Sequence, residues 1–234
     1  MSFREGHYFS IDENKNYSEG ENFQYEIQIS NYSPEELAKL WRKTLERGLH
    51  GICFSMYEND QKPGDIIYGE QVNRRIQILK PYAKWVRSFS CIEGNEHIPR
   101  IAHQNGMKTL VGAWLSNDLE LNEKEIESLI ALAKEGCVDI AAVGNEVMYR
   151  KDLTEDQLID YINRVKEALP NIPVGYVDAY YEFSHRPRIT EICDVILTNC
   201  YPYWEGTNQE YALSHMKSMY HQAKSVANGK KVII

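Results

Sequence analysis

Glu146 stands beside Asn145 at the end of an apolar run, Asp139-Ile140-Ala141-Ala142-Val143-Gly144. Such a run reads as a parallel strand buried on both faces. A carboxyl group where that strand ends is placed for proton transfer, because ligands of α/β folds meet the carboxyl ends of the strands. A general acid works best when its carboxyl group is kept protonated near neutral pH, and apolar surroundings disfavour the anion. Ile140 to Val143 before Glu146 and Val147-Met148 after it are the residues expected to supply them. Asn145 is placed to hold a hydroxyl group beside the bond being broken. Other strand ends add Tyr57 with Glu58, Arg87 with Phe89, Trp114, Asp178 with Tyr180 and Tyr181, and Tyr201, Tyr203 and Trp204. Aromatic faces, a few directional hydrogen bonders and one central Glu describe a carbohydrate cleft.

The elements that position these residues follow a regular alternation. Ser33-Pro34-Glu35-Glu36 is a capping box with Pro in the first turn, and its helix runs to Arg47 before Gly48. Strands are expected at 51–56, 85–90, 108–115, 138–143, 174–178, 195–200 and 231–234. Helices are expected at 70–82, 95–105, 122–135, from the Thr154-Glu155-Asp156-Gln157 box to Leu169, and at 208–227, with a short helical turn near Pro187. This is βαβ logic and implies a parallel sheet. No Gly-x-Gly-x-x-Gly follows the first strand, so a dinucleotide-binding open sheet has no support. Polar and aromatic residues gather after each strand, which favours a (β/α)8 barrel. Residues 1–32 are polar, with a short edge strand expected at 23–29, and read as an irregular N-terminal extension. Residues 33–234 read as the barrel domain, with its last strand and helices missing.

Composition narrows the chemistry. The chain has 234 residues, 43% of them hydrophobic, and a net charge of −8, which argues against nucleic acid or an anionic membrane as a partner. A neutral polymer is compatible with that surface. Five cysteines show no close pair and read as buried reduced thiols. The histidines have no metal-ligand spacing, so neither a metal nor a cofactor is expected. Met1 begins no secretory signal, so the expected location is cytoplasmic if Met1 is the native start, and extracellular if a leader was trimmed.

Five segments, in order, resemble glycoside hydrolase family 17, the β-1,3-glucanases and related glucanosyltransferases. They are His50-Gly51-Ile52-Cys53-Phe54-Ser55, Trp85-Val86-Arg87-Ser88-Phe89-Ser90, Thr109 to Leu115, Ala142-Val143-Gly144-Asn145-Glu146-Val147, and Ile196 to Trp204. The resemblance implies a TIM barrel and a reaction that retains anomeric configuration on β-1,3-glucan. It implies that Glu146 is the acid/base, with Asn145 beside it, and matches Tyr201 to a tyrosine near the nucleophile. Phe89 stands where many relatives carry a substrate-facing tyrosine. The family nucleophile is a Glu just after an apolar run that corresponds here to Val232-Ile233-Ile234, so it is expected beyond Ile234.

Retention takes two carboxyl groups about 5 Å apart. On this reading the chain needs its own continuation, or a second chain, to complete the barrel and supply the nucleophile. Without either, it would be inactive, or a glucan-binding module that does not cut. A transferase differs only in the acceptor. An unrelated barrel such as an aldolase would need a phosphate site or a Schiff-base lysine at a strand end, and neither is present.

Overall fold

The computed structural model describes residues 31–234. The expected N-terminal extension, with its edge strand at 23–29, lies outside the described residues except for Asn31 and Tyr32. Helices and strands alternate: α1 (Pro34–Arg47), β1 (Leu49–Cys53), α2 (Gly69–Leu79), β2 (Ala83–Arg87), α3 (His97–Gln104), β3 (Lys108–Ala113), α4 (Leu119–Lys134), β4 (Ile140–Asn145), α5 (Val147–Arg150), α6 (Glu155–Ala168), β5 (Val174–Ala179), α7 (Glu182–His185), α8 (Pro187–Ile192), β6 (Val195–Asn199), α9 (Ala212–Val226) and β7 (Lys231–Ile233). The seven strands lie in sequence order and every neighbouring pair is parallel.

Local chemistry explains the boundaries. Both expected capping boxes form: the Ser33 hydroxyl accepts from the Glu36 amide while the Glu36 carboxylate accepts from the Ser33 amide. Thr154 and Gln157 make the same exchange at α6. The strands expected at 51–56 and 85–90 each end three residues early, at Cys53 and Arg87, and those at 108–115, 195–200 and 231–234 end one or two residues early. Phe54 and Met56 leave the sheet to join Val72, Ile76 and Ile98 beneath α2 and α3, so β1 stops at Cys53. The expected helix at 208–227 splits into a 3-10 turn, Gln209–Tyr211, and α9. The helix α5 had no sequence signal.

Strand alternation sorts side chains into two layers. On one face Leu110, Ile140, Ala142, Val177, Val195 and Leu197 pack together with Trp85 and Ile233. On the other face Val111, Ala141, Val143, Val174, Tyr176 and Ile196 meet the helices, including Ile126, Leu129, Leu158 and Ile162, which are fully buried. Each such aliphatic side chain contributes roughly 1.5–3 kcal/mol by leaving water. The first face is the inside of a curl, because Arg87 on β2 reaches Asn145 on β4 and Asn199 on β6. The fold is therefore α/β, an incomplete (β/α) barrel. Edge strands β1 and β7 flank a cleft of about 500 Å³ lined by Ile52, Trp85, Leu110, Ile140, Val232 and Ile233.

Candidate active site

A register shift delivers Glu146. Ala142 pairs with Gly175 and Asn145 with Val177, so three steps along β4 match two along β5. This extra residue reverses the alternation of β4. Ile140 and Ala142 point into the curl, and after the shift Asn145 does too. Gly144 takes φ +86° to make the turn, and Glu146 follows in the left-handed region at φ 54°, ψ 30°. The Glu146 amide donates to the Val177 carbonyl at 2.7 Å, which ties this strained residue to β5.

Above the apolar interior lies a polar layer. Arg87 donates to Asn145 Oδ1 at 2.6 Å and to Asn199 Oδ1 at 3.5 Å. The Asn199 amide in turn donates to Glu146 Oε1 at 3.0 Å. The Arg87 guanidinium also lies 4.5 Å from the centre of the Phe89 ring. Glu146 is half-buried, and Val147 and Met148 turn away from its carboxyl group into the core. The apolar flanks of the sequence thus pack behind the loop, and a side-chain amide is what orients the carboxyl group.

Arg150, one turn beyond, braces the same corner. It donates to the carbonyls of Asn145 and Leu115, pairs with Asp152 at 2.7 Å, and lies 4.6 Å above the Trp114 ring. One face of Trp114 is therefore occupied. Asn199 and Arg150 were not among the expected site residues. Asn199 had a signal, since it continues the inward alternation Val195, Leu197, Asn199. Arg150 had none.

Other expected residues divide. Tyr203 and Trp204 are 83% and 66% exposed and meet edge to face, with ring centres 5.8 Å apart. Tyr201, half-buried, lies two residues beyond the end of β6. Tyr57 is half-buried against the cluster beneath β1 and α2, and Glu58 is ion-paired with Arg74 and Arg75. Tyr180 is buried and approaches Glu205, whose carboxylate pairs with His215 at 3.0 Å. Asp178 requires correction. It is fully buried and alternates with Val177 and Ala179, so it points to the helix side rather than into the mouth. Its carboxylate takes the Tyr176 hydroxyl and the amides of Tyr149 and Ala179, and burial pushes it up to about 7.

A second buried carboxyl group supports the mouth from behind. Glu125 on α4 accepts from the Ser90 hydroxyl at 2.5 Å and the Cys91 amide at 2.8 Å, pinning the loop after β2. Burial pushes it up to about 7 from 4.5, against the pull of those donors. The folded chain therefore holds a proton that the unfolded chain releases near its ordinary value. That stabilisation is complete below about pH 4 and is lost as pH rises to about 7. Glu125→Gln is expected to flatten the pH dependence of stability in this window by up to about 3 kcal/mol. Urea unfolding of both proteins at several pH values measures it, and parallel profiles would disprove it. Asp178 titrates with the same sign in both proteins and drops out of the difference.

Among the described residues no group of three His, Cys, Asp or Glu side chains is gathered as a metal site requires. Cys91, Cys137 and Cys193 are buried thiols, Cys200 is half-buried, and Cys53 is exposed where burial was expected. Among the described residues no helix is long and apolar enough to cross a membrane.

Comparison with known proteins fits this architecture. The model of the BtgE/BtgC glycoside hydrolase domain matches residues 51–234. A glucan 1,3-beta-glucosidase of Saccharomyces cerevisiae is 27% identical over 154 residues, covering 58% of this chain and 49% of the relative. One from Schizosaccharomyces pombe is 24% identical over 186 residues, covering 74% of this chain and 57% of the relative. The chain thus spans about half the length of these curated relatives. The crystal structure of a glycoside hydrolase family 17 β-1,3-glucanosyltransferase from Rhizomucor miehei superposes with a TM-score of 0.70 at 27% identity, over 80% of this chain and 70% of that one. An active-site mutant of that enzyme in complex with laminaritriose gives the same values. The chain belongs to the BtgE/BtgC glycoside hydrolase domain family, and its relatives and fold place it in glycoside hydrolase family 17.

Proposed function

We infer that the protein cleaves β-1,3-linked glucan by double displacement, with retention of configuration. The observation that carries this reading is the presentation of Glu146 at the mouth of the curl, its carboxyl oxygen held at 3.0 Å by Asn199 beside Arg87 and Asn145. Glu146 donates a proton to the departing glycosidic oxygen while a second carboxylate attacks the anomeric carbon. Glu146 then takes a proton from water, which displaces that carboxylate. The second carboxylate is the one that the family resemblance implies just after the apolar run Val232-Ile233-Ile234, while Glu205 is engaged with His215. Among the described residues β1 and β7 are the outermost strands of the sheet, and a continuation of the chain or a second chain between them would complete the wall. Tyr203 and Trp204 offer rings on which the apolar faces of glucose units can stack, with Tyr201 and the open face of Trp114 as further candidates, whereas Tyr57 is committed to the cluster beneath α2.

A second reading, transfer to an acceptor sugar in place of water, is favoured by the similarity to the Rhizomucor miehei glucanosyltransferase. The two share the same glycosyl-enzyme intermediate and differ in what resolves it.

The test is product formation from laminarin by the whole protein, followed by NMR. The β-anomer is expected to appear first, with longer oligosaccharides where transfer competes. The α-anomer would overturn retention. Binding without any product would replace catalysis by glucan binding alone.

A further inference from the structure

Beyond the residues that face the mouth, the chain carries a second device on the opposite face of β5. We propose that Tyr176 and Asp178 are positioning residues that hold Glu146 in its working orientation without touching substrate. The inference rests on the assignment of Glu146 as acid/base.

Glu146 occupies a left-handed backbone conformation, φ 54° and ψ 30°. For a residue other than glycine this costs roughly 1–2 kcal/mol, and it persists only where the surroundings impose it. The restraints can be named. Glu146 itself donates to Val177 at 2.7 Å, on the near side of the strained residue. On the far side, the Met148 amide donates to the Tyr176 hydroxyl at 2.9 Å, and the Tyr149 amide donates to Asp178 Oδ2 at 3.3 Å. The Tyr176 hydroxyl then donates to the same carboxylate oxygen. The strained residue is therefore clamped before and after by β5, in addition to the brace that Arg150 places on the Asn145 carbonyl.

Alternation makes this arrangement one piece. Tyr176 packs on the helix side of β5 and Val177 on the other, and alternation puts Asp178, bonded to the Tyr176 hydroxyl, with the first and Ala179 with the second. A rigid strand thus holds the loop from behind, while its edge holds Glu146. The setting of the Asp178 carboxylate points the same way. Among the described residues its polar partners are the Tyr176 hydroxyl and the amides of Tyr149 and Ala179, with no cation. Glu182, the nearby acidic residue on α7, is engaged by Arg186 at 2.8 Å. A buried carboxyl group without a cation is a costly way to fill space. Aiming two consecutive amides is something an apolar side chain there could not do.

The test is Tyr176→Phe and Asp178→Asn in the whole protein, with Glu146→Gln in parallel. Tyr176→Phe keeps the ring, which packs edge-on against Phe183 at 6.2 Å. It is expected to lower kcat on laminari-oligosaccharides about 10- to 100-fold, the scale of a misplaced catalytic group. KM should stay within about twofold, because no substrate contact is removed. Hydrogen exchange at the Met148 and Tyr149 amides should quicken while Val143 in β4 stays protected. An unchanged kcat per folded molecule would overturn the proposal, as would a loss expressed in KM. If Asp178→Asn does not fold, Tyr176→Phe carries the test alone. Should Glu146→Gln itself leave turnover intact, the acid/base assignment fails rather than this positioning role, and the exchange data still report the clamp.

Discussion

Glu146→Gln in the whole protein is expected to lower kcat on laminarin about 10²- to 10⁴-fold, with oligosaccharide affinity changed no more than a few-fold. Glutamine keeps the size of the side chain and an oxygen that can accept from Asn199, which sits 3.0 Å away in the native protein. What it lacks is a proton to give. The loss should therefore be large for glucan, whose leaving group is a poor alkoxide. It should shrink for an aryl β-laminaribioside with an acidic phenol, because that leaving group departs without help. Steady-state kinetics on both substrates, with calorimetry on a laminari-oligosaccharide series, separates the two effects. Unchanged turnover of laminarin would sink the assignment of Glu146.

Gly144→Ala is expected to destabilise the fold by about 2–4 kcal/mol and to lower activity with it. Gly144 sits at φ +86°, and an added Cβ would meet Val147 Cγ2 at 2.8 Å, with Tyr176 Cε2 at 3.4 Å and Leu115 Cδ1 at 3.6 Å. Val147 is fully buried and has nowhere to retreat. The strain of the left-handed conformation and the overlap add, because both are imposed at one atom. Chemical denaturation measures the loss. A change under about 0.5 kcal/mol, the range of a neutral surface substitution, would show that the turn after β4 is looser than its contacts describe.

These two neighbours illustrate how far the chain could be read directly. The end of an apolar strand pointed to Asn145 and Glu146, and the shared motifs made Glu146 specific. Their actual setting followed from a register shift between Ala142 and Asn145 that no local signal announced. Asp178 shows the same limit from the other side. It stands at a strand end with aromatic neighbours, as a ligand of substrate would, yet the alternation of Gly175, Val177 and Ala179 turns it to the helices. Counting by twos from Val177 would have revealed this, had the inward face of β5 been known. The exposure of Tyr203 and Trp204 was legible for a simpler reason, since a run of four bulky residues does not all fit inside.

What the sequence determined by itself was local. Capping boxes, helical stripes, apolar strand runs and the alternation of elements arise from contacts within a few residues, and they carried the parallel α/β architecture and the ordered motifs of the family. Only the tertiary structure decided which face each strand end presents, that Asn199 orients Glu146 across 53 residues of chain, and that Arg87 bridges β2 to β4 and β6. Strand register and curl set those pairings. They are settled by the packing of the whole sheet against its helices, and a one-residue shift in β4 is enough to exchange one face for the other.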